Sequence, residues 1–587
     1  MIQPIQTTAA AFEGRARART LAVVILCATF SAVTLAQDAG SLLREQERRQ
    51  ALDALERARA PSPELSSVDE PARPELGETF LLKELRFVGR TDEIAAAAQS
   101  EFAAQVQNRL VGVAGLQRLA DSVTQSLQGQ GRLLARAVLP PQDVTDGVVT
   151  LEIVEGRLEK IEFERGDDAR IGERSLRTVL ERGLDPAAVT RPELEAALLR
   201  VNDLPGVTAQ ARLHPGHAPN SSRLVIAVQE APALGSMFWA DNYGDPGAGR
   251  SQANALLSMN DLTGFGERST IRGSFSEGMK FGTASVAAPL HAADLTLRGE
   301  YSHLVYENRT RTGRILDLDG RSQRIAIGAE HGLLRSRTLN LRVAAEASVK
   351  MLVDDSITGR LADRRSRAGT LSLSGDTQDD WRDGGVTSFV AGVTLGNLDL
   401  SRLPSARAAD AAGLDTQGGF TRMNVSISRA QELPGAFSLA GRVHGQWTDK
   451  NVDSSEDFSL GGPYGVRAYP VGEGRGDHGI LGTIELRHDT RVPTVVGGLQ
   501  LAGFLDAGRV RVNADPNGIP IATATGRNDY SLFGAGLSAR WTRERLNVSA
   551  AWAHALGGNP GRNARDGSNS DGDRDSQTFW LQGALRF

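Results

Sequence analysis

The chain contains a single cysteine, Cys27, and it lies in an apolar run near the N-terminus. The remainder therefore excludes disulfides, zinc–thiolate sites and cysteine nucleophiles. Leu26 precedes Cys27 where a lipid-modification site requires a small residue, so the cysteine reads as apolar filler. Aromatic residues are only 5% of the chain, and its body has no apolar run that reads as a membrane-spanning helix. A formal net charge of −5 argues against nucleic-acid binding, which favours basic chains. There is no phosphate loop ending in Gly-Lys, no His-Glu-x-x-His and no Gly-x-Ser-x-Gly, and the histidines are scattered. Nothing points to an enzyme, a metal centre or a cofactor. Asp566 to Asp575 is acidic enough to suggest calcium. With Gly572 as the turn glycine, however, Gly567 and Thr578 fall at the first and twelfth ligand positions, so the stretch reads as a solvated loop. Arg475-Gly476-Asp477 is too short a match to carry an adhesive role.

Glycine is abundant, with 64 among 587 residues, and the chain is too long for one compact core. Arg15, Arg17 and Arg19 precede an apolar run, Leu21 to Ala36, that ends Thr34-Leu35-Ala36-Gln37. A positive flank, a short apolar core and a small residue before the cut make residues 1–36 an expected secretory signal. Ser41 to Ala60 is rich in strong helix formers. Its sparse apolar points, Leu42, Leu52 and Leu55, suit either a solvated surface helix or a helix in a water-filled lumen. Pro61, Pro63, Pro71 and Pro74 then mark an extended linker.

From Thr79 to about Ala231 the texture is soluble and α+β. Phe80 to Gly89 reads as a strand, Leu110 to Leu127 as a helix, Arg132 to Leu139 as a strand closed by Pro140-Pro141, and Val148 to Val154 as a strand. A second cycle runs through strand Leu158 to Phe163, helices Ser175 to Glu181 and Pro192 to Val201, and strand Leu224 to Val228. Two β-α-α-β-β units of about 75 residues are expected, alike in architecture and hardly in sequence.

Residues 232–587 alternate. In Thr338 to Lys350, Leu339, Leu341, Val343, Ala345, Ala347 and Val349 share one face, while Asn340, Arg342, Glu346 and Lys350 lie on the other. Leu295 to Tyr301 and Phe437 to Trp447 do the same. Period two produces one apolar and one polar face, as a soluble sandwich also would. Strands of about ten residues with charged polar faces favour a membrane barrel with a wet lumen. So does the closing strand Thr578 to Phe587, with Phe579, Leu581, Leu585 and Phe587 on one face. At about 22 residues per strand and loop, the region holds about sixteen antiparallel strands.

Two segments in this region carry chemistry. Gly465-Val466-Arg467-Ala468-Tyr469 follows Leu460-Gly461-Gly462-Pro463-Tyr464 and reads as a tightly folded loop. Phe504-Leu505-Asp506-Ala507-Gly508 lies in an alternating strand, and parity turns Phe504, Asp506 and Gly508 away from the apolar face of Leu501 and Leu505. An arginine on an inward loop and a carboxylate on a barrel wall make a two-pronged charge-assisted contact. The pairing resembles the loop-to-wall lock of outer-membrane translocators that carry POTRA domains. Ala468 stands where that motif has glycine and disfavours positive φ there.

The resemblance sharpens elsewhere. Gly131 to Gly147 with Leu151-Glu-Ile-Val-Glu-Gly156 resembles the first POTRA domain of two-partner secretion translocators, the haemolysin-activation and secretion family. Asn202-Asp203-Leu204-Pro205-Gly206 and His214-Pro215-Gly216 resemble their second, with Pro219-Asn220-Ser221-Ser222 in place of the usual glycine turn. Asp241-Asn242-Tyr243-Gly244 and Asn260-Asp261-Leu262-Thr263-Gly264-Phe265-Gly266-Glu267 resemble the opening of the family's barrel, with Glu267 replacing aspartate. The terminal aromatic residues, Phe579 and Phe587, resemble the assembly signal of outer-membrane barrels.

The resemblance implies a signal peptide (1–36), a plug helix (37–60), a proline-rich linker (61–78), POTRA domains at 79–156 and 157–231, and a transmembrane barrel (232–587) with an inserted loop around 460–478. It implies a Gram-negative outer-membrane pore, without cofactor or metal, whose periplasmic POTRA pair captures the N-terminal secretion domain of a large exoprotein. The edge strand carrying Arg132, Leu134, Arg136 and Val138 is a reasonable docking place, since extended cargo adds to a free edge. Further implied partners are membrane lipids and, during biogenesis, the barrel assembly machinery and periplasmic chaperones. The alternatives are an assembly insertase of the same superfamily and, less favoured, a passive porin.

Overall fold

The computed structural model describes residues 37–57, 65–67, 79–89, 108–144, 146–185, 189–218, 221–291, 294–490, 496–521 and 523–587. The expected signal (1–36), residues 58–60 of the expected helix, the linker prolines and Pro219-Asn220 lie outside the described residues.

Helix α1 spans Ala39–Arg57 and is followed by β1, Leu65–Ser67. The first soluble unit contains β2 (Thr79–Leu82), β3 (Glu84–Gly89), β4 (Arg109–Gly112), α2 (Val113–Gly129), β5 (Ala135–Val138) and β6 (Val148–Glu155). Its sheet runs β3–β6–β5, parallel then antiparallel. Leu116, Ala120, Val123 and Leu127 recur at helical spacing on α2 and pack on Leu85, Phe87, Val149, Leu151 and Ile153. The second unit contains β7 (Arg157–Glu164), α3 (Glu173–Glu181), α4 (Arg191–Asn202), β8 (Val207–Pro215) and β9 (Ser221–Glu230). Helix α4 starts at a capping box: the Glu193 backbone N–H donates to the Thr190 hydroxyl, and the Thr190 N–H donates to the Glu193 carboxylate.

Three expectations need correction. The strand from Phe80 to Gly89 is two strands, because the N–H groups of Lys83 and Glu84 both turn to the Gly147 carbonyl, at 2.7 and 3.1 Å. Leu110 to Gly112 belong to β4, where they pair with β2, so the helix starts three residues later than expected. Arg132 and Leu134 are not in a strand. The chain turns after Gly131, and the Leu134 side chain is buried in the second unit's core, so only Arg136 and Val138 of the four residues lie on β5. Strand β8, Val207–Pro215, is absent from the expected elements; His214-Pro215-Gly216 at its end enters the sequence reading only as part of a resemblance.

Sixteen antiparallel strands form a closed barrel. The first, Leu234–Asp241, meets the last, Gln577–Arg586, through five paired residues. Strands run from 8 residues to the 21 of Gly359–Asp379, longer in places than the expected ten. The excess is charged, as in Asp354, Asp355, Arg360 and Asp363, and extends past the apolar band. Ile327, Leu371, Leu395, Ile484, Leu505 and Phe579 face outward and are exposed, while their strand neighbours face the lumen. No helix among the described residues is long and apolar enough to cross a membrane.

The second unit sits on the barrel rim. The Arg335 guanidinium forks onto the Asp203 carboxylate with two bonds of 2.7 Å, Arg337 lies 3.3 Å from Glu195, and the Gly172 N–H donates to the Gly264 carbonyl at 3.1 Å. The barrel orientation gives a direct test. Leu371→Arg, on the outer face, should destabilise the inserted barrel by about 2–4 kcal/mol in a urea titration in bilayers. Ser372→Arg, one residue away and lining the lumen cavity, should cost well under half of that.

Candidate functional site: an inward loop locked to the wall

Between the strands Phe437–Thr448 and His478–Thr490, residues 449–477 fold into the barrel. A two-residue ladder, Phe458–Ser459 with Arg475–Gly476, closes the neck. The tip then doubles back, with the Val466 N–H donating to the Leu460 carbonyl at 2.7 Å and the Tyr469 N–H to the Val466 carbonyl at 3.0 Å. A side chain at Gly465 would begin 1.9 Å from the Leu460 oxygen, so this turn requires glycine.

Arg467 lies at the tip. Its Nε donates to Asp506 Oδ2 at 2.9 Å, Nη2 to Asp506 Oδ1 at 2.7 Å, and its backbone N–H to Oδ2 at 3.0 Å. Nη1 donates to Glu485 Oε1 at 2.5 Å. The guanidinium carbon stands 3.4 Å from the centre of the Phe504 ring, a cation–π contact. The Arg467 carbonyl accepts from Trp580 Nε1 at 2.8 Å. One residue thus ties the strands His478–Thr490, Gly498–Arg511 and Gln577–Arg586 together. Asp506 is only 2% exposed. Gly508 leaves room for Leu460, whose Cδ2 lies 2.4 Å from where a Cβ would stand. Val466 and Tyr469 are buried beside it, the tyrosine hydroxyl with no hydrogen-bond partner among the described residues.

Ala468 needs no positive φ. It is buried, and opposite it a Cβ at Gly534 would come within 2.8 Å of the alanine methyl. The room for Ala468 therefore comes from the wall.

The opening motif serves the seam. Asn242 donates to the Phe579 carbonyl at 2.7 Å and accepts from the Leu581 N–H at 2.8 Å, clipping the first strand to the last. Asp241 accepts from Tyr243 N–H and Asn254, and the Gly244 N–H donates to the Arg250 carbonyl at 2.8 Å. Glu267 accepts from the Thr263 N–H and hydroxyl at 2.9 and 2.7 Å, as an aspartate's charge would. Phe587 exchanges backbone hydrogen bonds with Ser236, and its ring meets Phe238 edge-on. Arg136 and Val138 lie on the soluble unit, away from the lock.

Helix α1 lies in the lumen, which settles the two readings left open for it. Leu42 and Leu43 pack with Met279, Phe281, Leu304, Tyr306 and Leu352. Its acids share cations with the inward loop. Lys350 Nζ is 3.2 Å from Glu47 of the helix and 3.1 Å from Glu456 of the loop. Arg364 is 2.9 Å from Asp38, 2.7 Å from Asp453 of the loop and 2.5 Å from Asp354 on the wall. Arg48 donates to the carbonyls of Ser459 and Tyr464 at 3.0 and 3.2 Å. A cavity of about 940 Å³ runs beneath them from Leu204 and His291 to Tyr464 and Arg475, with Ser372 and Ser426 on its wall. Sequence reasoning missed Glu485, Trp580 and this shared network. Parity puts Glu485 on the lumenal face, but nothing in the sequence names its partner. The acidic stretch Asp566 to Asp575 touches the loop too: Glu473 accepts from the Ser570 N–H and, from outside that stretch, from Asn559, both at 2.7 Å.

A closed barrel, two soluble β/α units and an inward loop pinned by arginine define the class of POTRA-bearing outer-membrane transporters. Residues 220–536 match the model of the haemolysin secretion/activation protein family ShlB/FhaC/HecB, and the chain belongs to that family. Residues 80–156 match the ShlB-type POTRA domain. The chain is 24% identical over 473 residues to the heme/hemopexin transporter protein HuxB of Haemophilus influenzae, covering 77% of this chain and 80% of that protein. It is 25% identical over 511 residues to the outer membrane transporter CdiB of Escherichia coli, covering 82% and 80%. The solved structure of CdiB from Escherichia coli superposes with a TM-score of 0.66 at 21% identity, over 94% of this chain and 99% of that one, a likeness of fold. The chain is an outer-membrane translocator of two-partner secretion.

The wall's part in seating Ala468 can be checked by limited proteolysis. Ala468→Gly should leave the inward loop as protected as in the parent chain. Gly534→Leu should expose it, with cleavage at least tenfold faster.

Proposed function

We propose that the soluble pair (79–156 and 157–231) captures the N-terminal secretion domain of a large exoprotein in the periplasm, and that the cargo then threads past the inward loop. The observation that carries this reading is a lumen occupied by α1 and by the inward loop, residues 449–477, over a cavity that reaches the second unit. A passive porin has no use for such a plug, and an insertase has no use for a dedicated one. The outer edge of β5, with Arg136 and Val138, has no strand beside it among the described residues; the Thr124 hydroxyl accepts from the Ala137 N–H there at 3.0 Å, so incoming cargo would displace that contact to dock. Residues 1–36 act as the secretory signal, and residues 37–57 as a plug that leaves the lumen when cargo enters. Membrane lipids surround the apolar band, and periplasmic chaperones and the assembly machinery bring the barrel there, with the C-terminal Phe579 and Phe587 read as its signal. The chain performs no catalysis, and the energy for transport comes from cargo folding outside the cell.

Deleting the gene and restoring it from a plasmid tests the reading. One large protein should vanish from the medium and return, with porin levels unchanged. A fall in porins would instead indicate a general assembly factor, and no change in either would indicate a passive channel. Arg467→Ala and Asp506→Ala should each lower export at least tenfold with the barrel still inserted, judged by heat-modifiable mobility. Glu47→Gln with Asp38→Asn should raise the resting conductance in planar bilayers several-fold, because the helix loses its ion pairs to Lys350 and Arg364 while the loop keeps Glu456 and Asp453.

A further inference from the structure

The second soluble unit grips the periplasmic rim of the barrel, so the opposite ends of the strands reach the outer leaflet. At those ends a group of cations faces the lipid. Lys280 of strand Met279–Leu290, Arg321 of Asp319–Arg335, and Arg365 and Arg367 of Gly359–Asp379 point outward by the parity that exposes Val286, Ile327 and Leu371. Among the described residues none of these four side chains forms a hydrogen bond or an ion pair. Arg365 Nε is buried and unpartnered.

Strand register holds the group together. Val305 faces Lys280 on one side and Arg321 on the other. Val353 and Met351, on Leu339–Ser356, face Arg321 and Arg365 on either side of that strand. With neighbouring strands about 4.8 Å apart, Lys280, Arg321 and Arg365 follow one another at about 10–12 Å between Cα atoms, over a floor of Val305, Met351 and Val353. The register also sets their height. Exposed Tyr301 shares a row with Arg367 through Ile325 and Val349. Outward aromatics mark the border of the apolar band, so the cations start at that border and rise into the headgroup layer. Glu307, Asp319 and Asp355 come next outward, so an anion is favoured only between these acids and the band.

Two further acids lie near the cations. Asp363 is held by Arg360 and Arg402 at 3.2 and 3.1 Å. Asp399 faces Arg365 in register without pairing with it, and accepts from the Ser401 N–H at 2.9 Å. Elsewhere on the same rim an outward pair is answered: Arg509 and Arg511 lie 3.8 and 3.4 Å from Asp529.

We infer that this face binds a phosphorylated glycolipid of the outer leaflet, with its phosphates on Lys280, Arg321, Arg365 and Arg367 and its acyl chains on the apolar band below. A guanidinium engages phosphate oxygens through two hydrogen bonds. The long stem of Arg367 lifts its charge out of the hydrocarbon. Four unanswered cations repel one another, and phosphates between them remove that repulsion. The spread of the cations suits a disaccharide headgroup with a phosphate at each end. A glycerophospholipid brings one phosphate, and a zwitterionic one adds an ammonium that these cations repel.

The test uses the full chain, with insertion checked by heat-modifiable mobility. A photoreactive residue at Met351 should label lipopolysaccharide in intact cells at least fivefold more than one at Ile480, which is outward and faces Arg509. In phosphatidylethanolamine vesicles, added lipopolysaccharide should slow urea unfolding of the parent at least tenfold, and added phosphatidylglycerol or inorganic phosphate less than twofold. Arg321→Gln, Arg365→Gln and Arg367→Gln together should abolish most of that slowing. Lysine at the same three positions should keep at least half of it, and Arg509→Gln with Arg511→Gln should keep all of it. Equal labelling at Met351 and Ile480 overturns the site, as does unchanged slowing in the triple glutamine variant. Equal slowing by phosphatidylglycerol also overturns it, leaving a basic girdle that meets any anionic lipid. If the glutamine variant fails to insert, the labelling ratio and the parent's lipid preference decide. Export is not the readout, so failure here leaves the translocation reading standing.

Discussion

A charge inside a barrel must find a partner, and the position of the whole inward loop depends on how one arginine finds its own. Arg467 satisfies its guanidinium with two carboxylates and an aromatic face, and Asp506 takes three of its donors. Removing one partner of such a buried pair strands the other charge, typically at about 3–5 kcal/mol. The contact is therefore better understood as fixing a conformation than as adding net stability. It sets the tip, the tip sets the carbonyls of Ser459 and Tyr464, and those receive Arg48 of the plug.

The shared cations bear on the proposed release of α1. Apart from α1, Lys350 also pairs with Glu456, Arg364 with Asp354 and Asp453, and Arg324 with Glu300 and Glu346. No lumenal cation of this set is left buried and alone. The helix's apolar contact is small, centred on Leu42 and Leu43. The ion pairs between wall and loop thus do not depend on the helix.

Much of this was legible in the sequence because barrels obey a strict period of two. Asp506 could be turned toward the lumen by counting from Leu505, and sixteen strands could be counted from length. The helix Ser41 to Ala60 was legible as a helix, but its place was not, since a charged surface suits bulk water and a wet lumen alike. Where long-range contacts decide local form, the sequence misled. Leu110 to Gly112 look helical until β2 is there to pair with them, and Leu134 looks like a strand residue until a neighbouring core claims its side chain. Partners such as Glu485 and Trp580 for Arg467 are fixed by closure of the barrel, 18 and 113 positions away, and no local pattern marks them.

The most direct measurement is a double-mutant cycle on export, comparing Arg467→Ala, Asp506→Ala and the two together, with equal amounts of inserted barrel. If the pair acts as one unit, the double variant exports no less than either single variant, because the second change removes nothing further. Losses that multiply in the double variant would show that the two residues act separately, and would contradict the lock at the centre of this account.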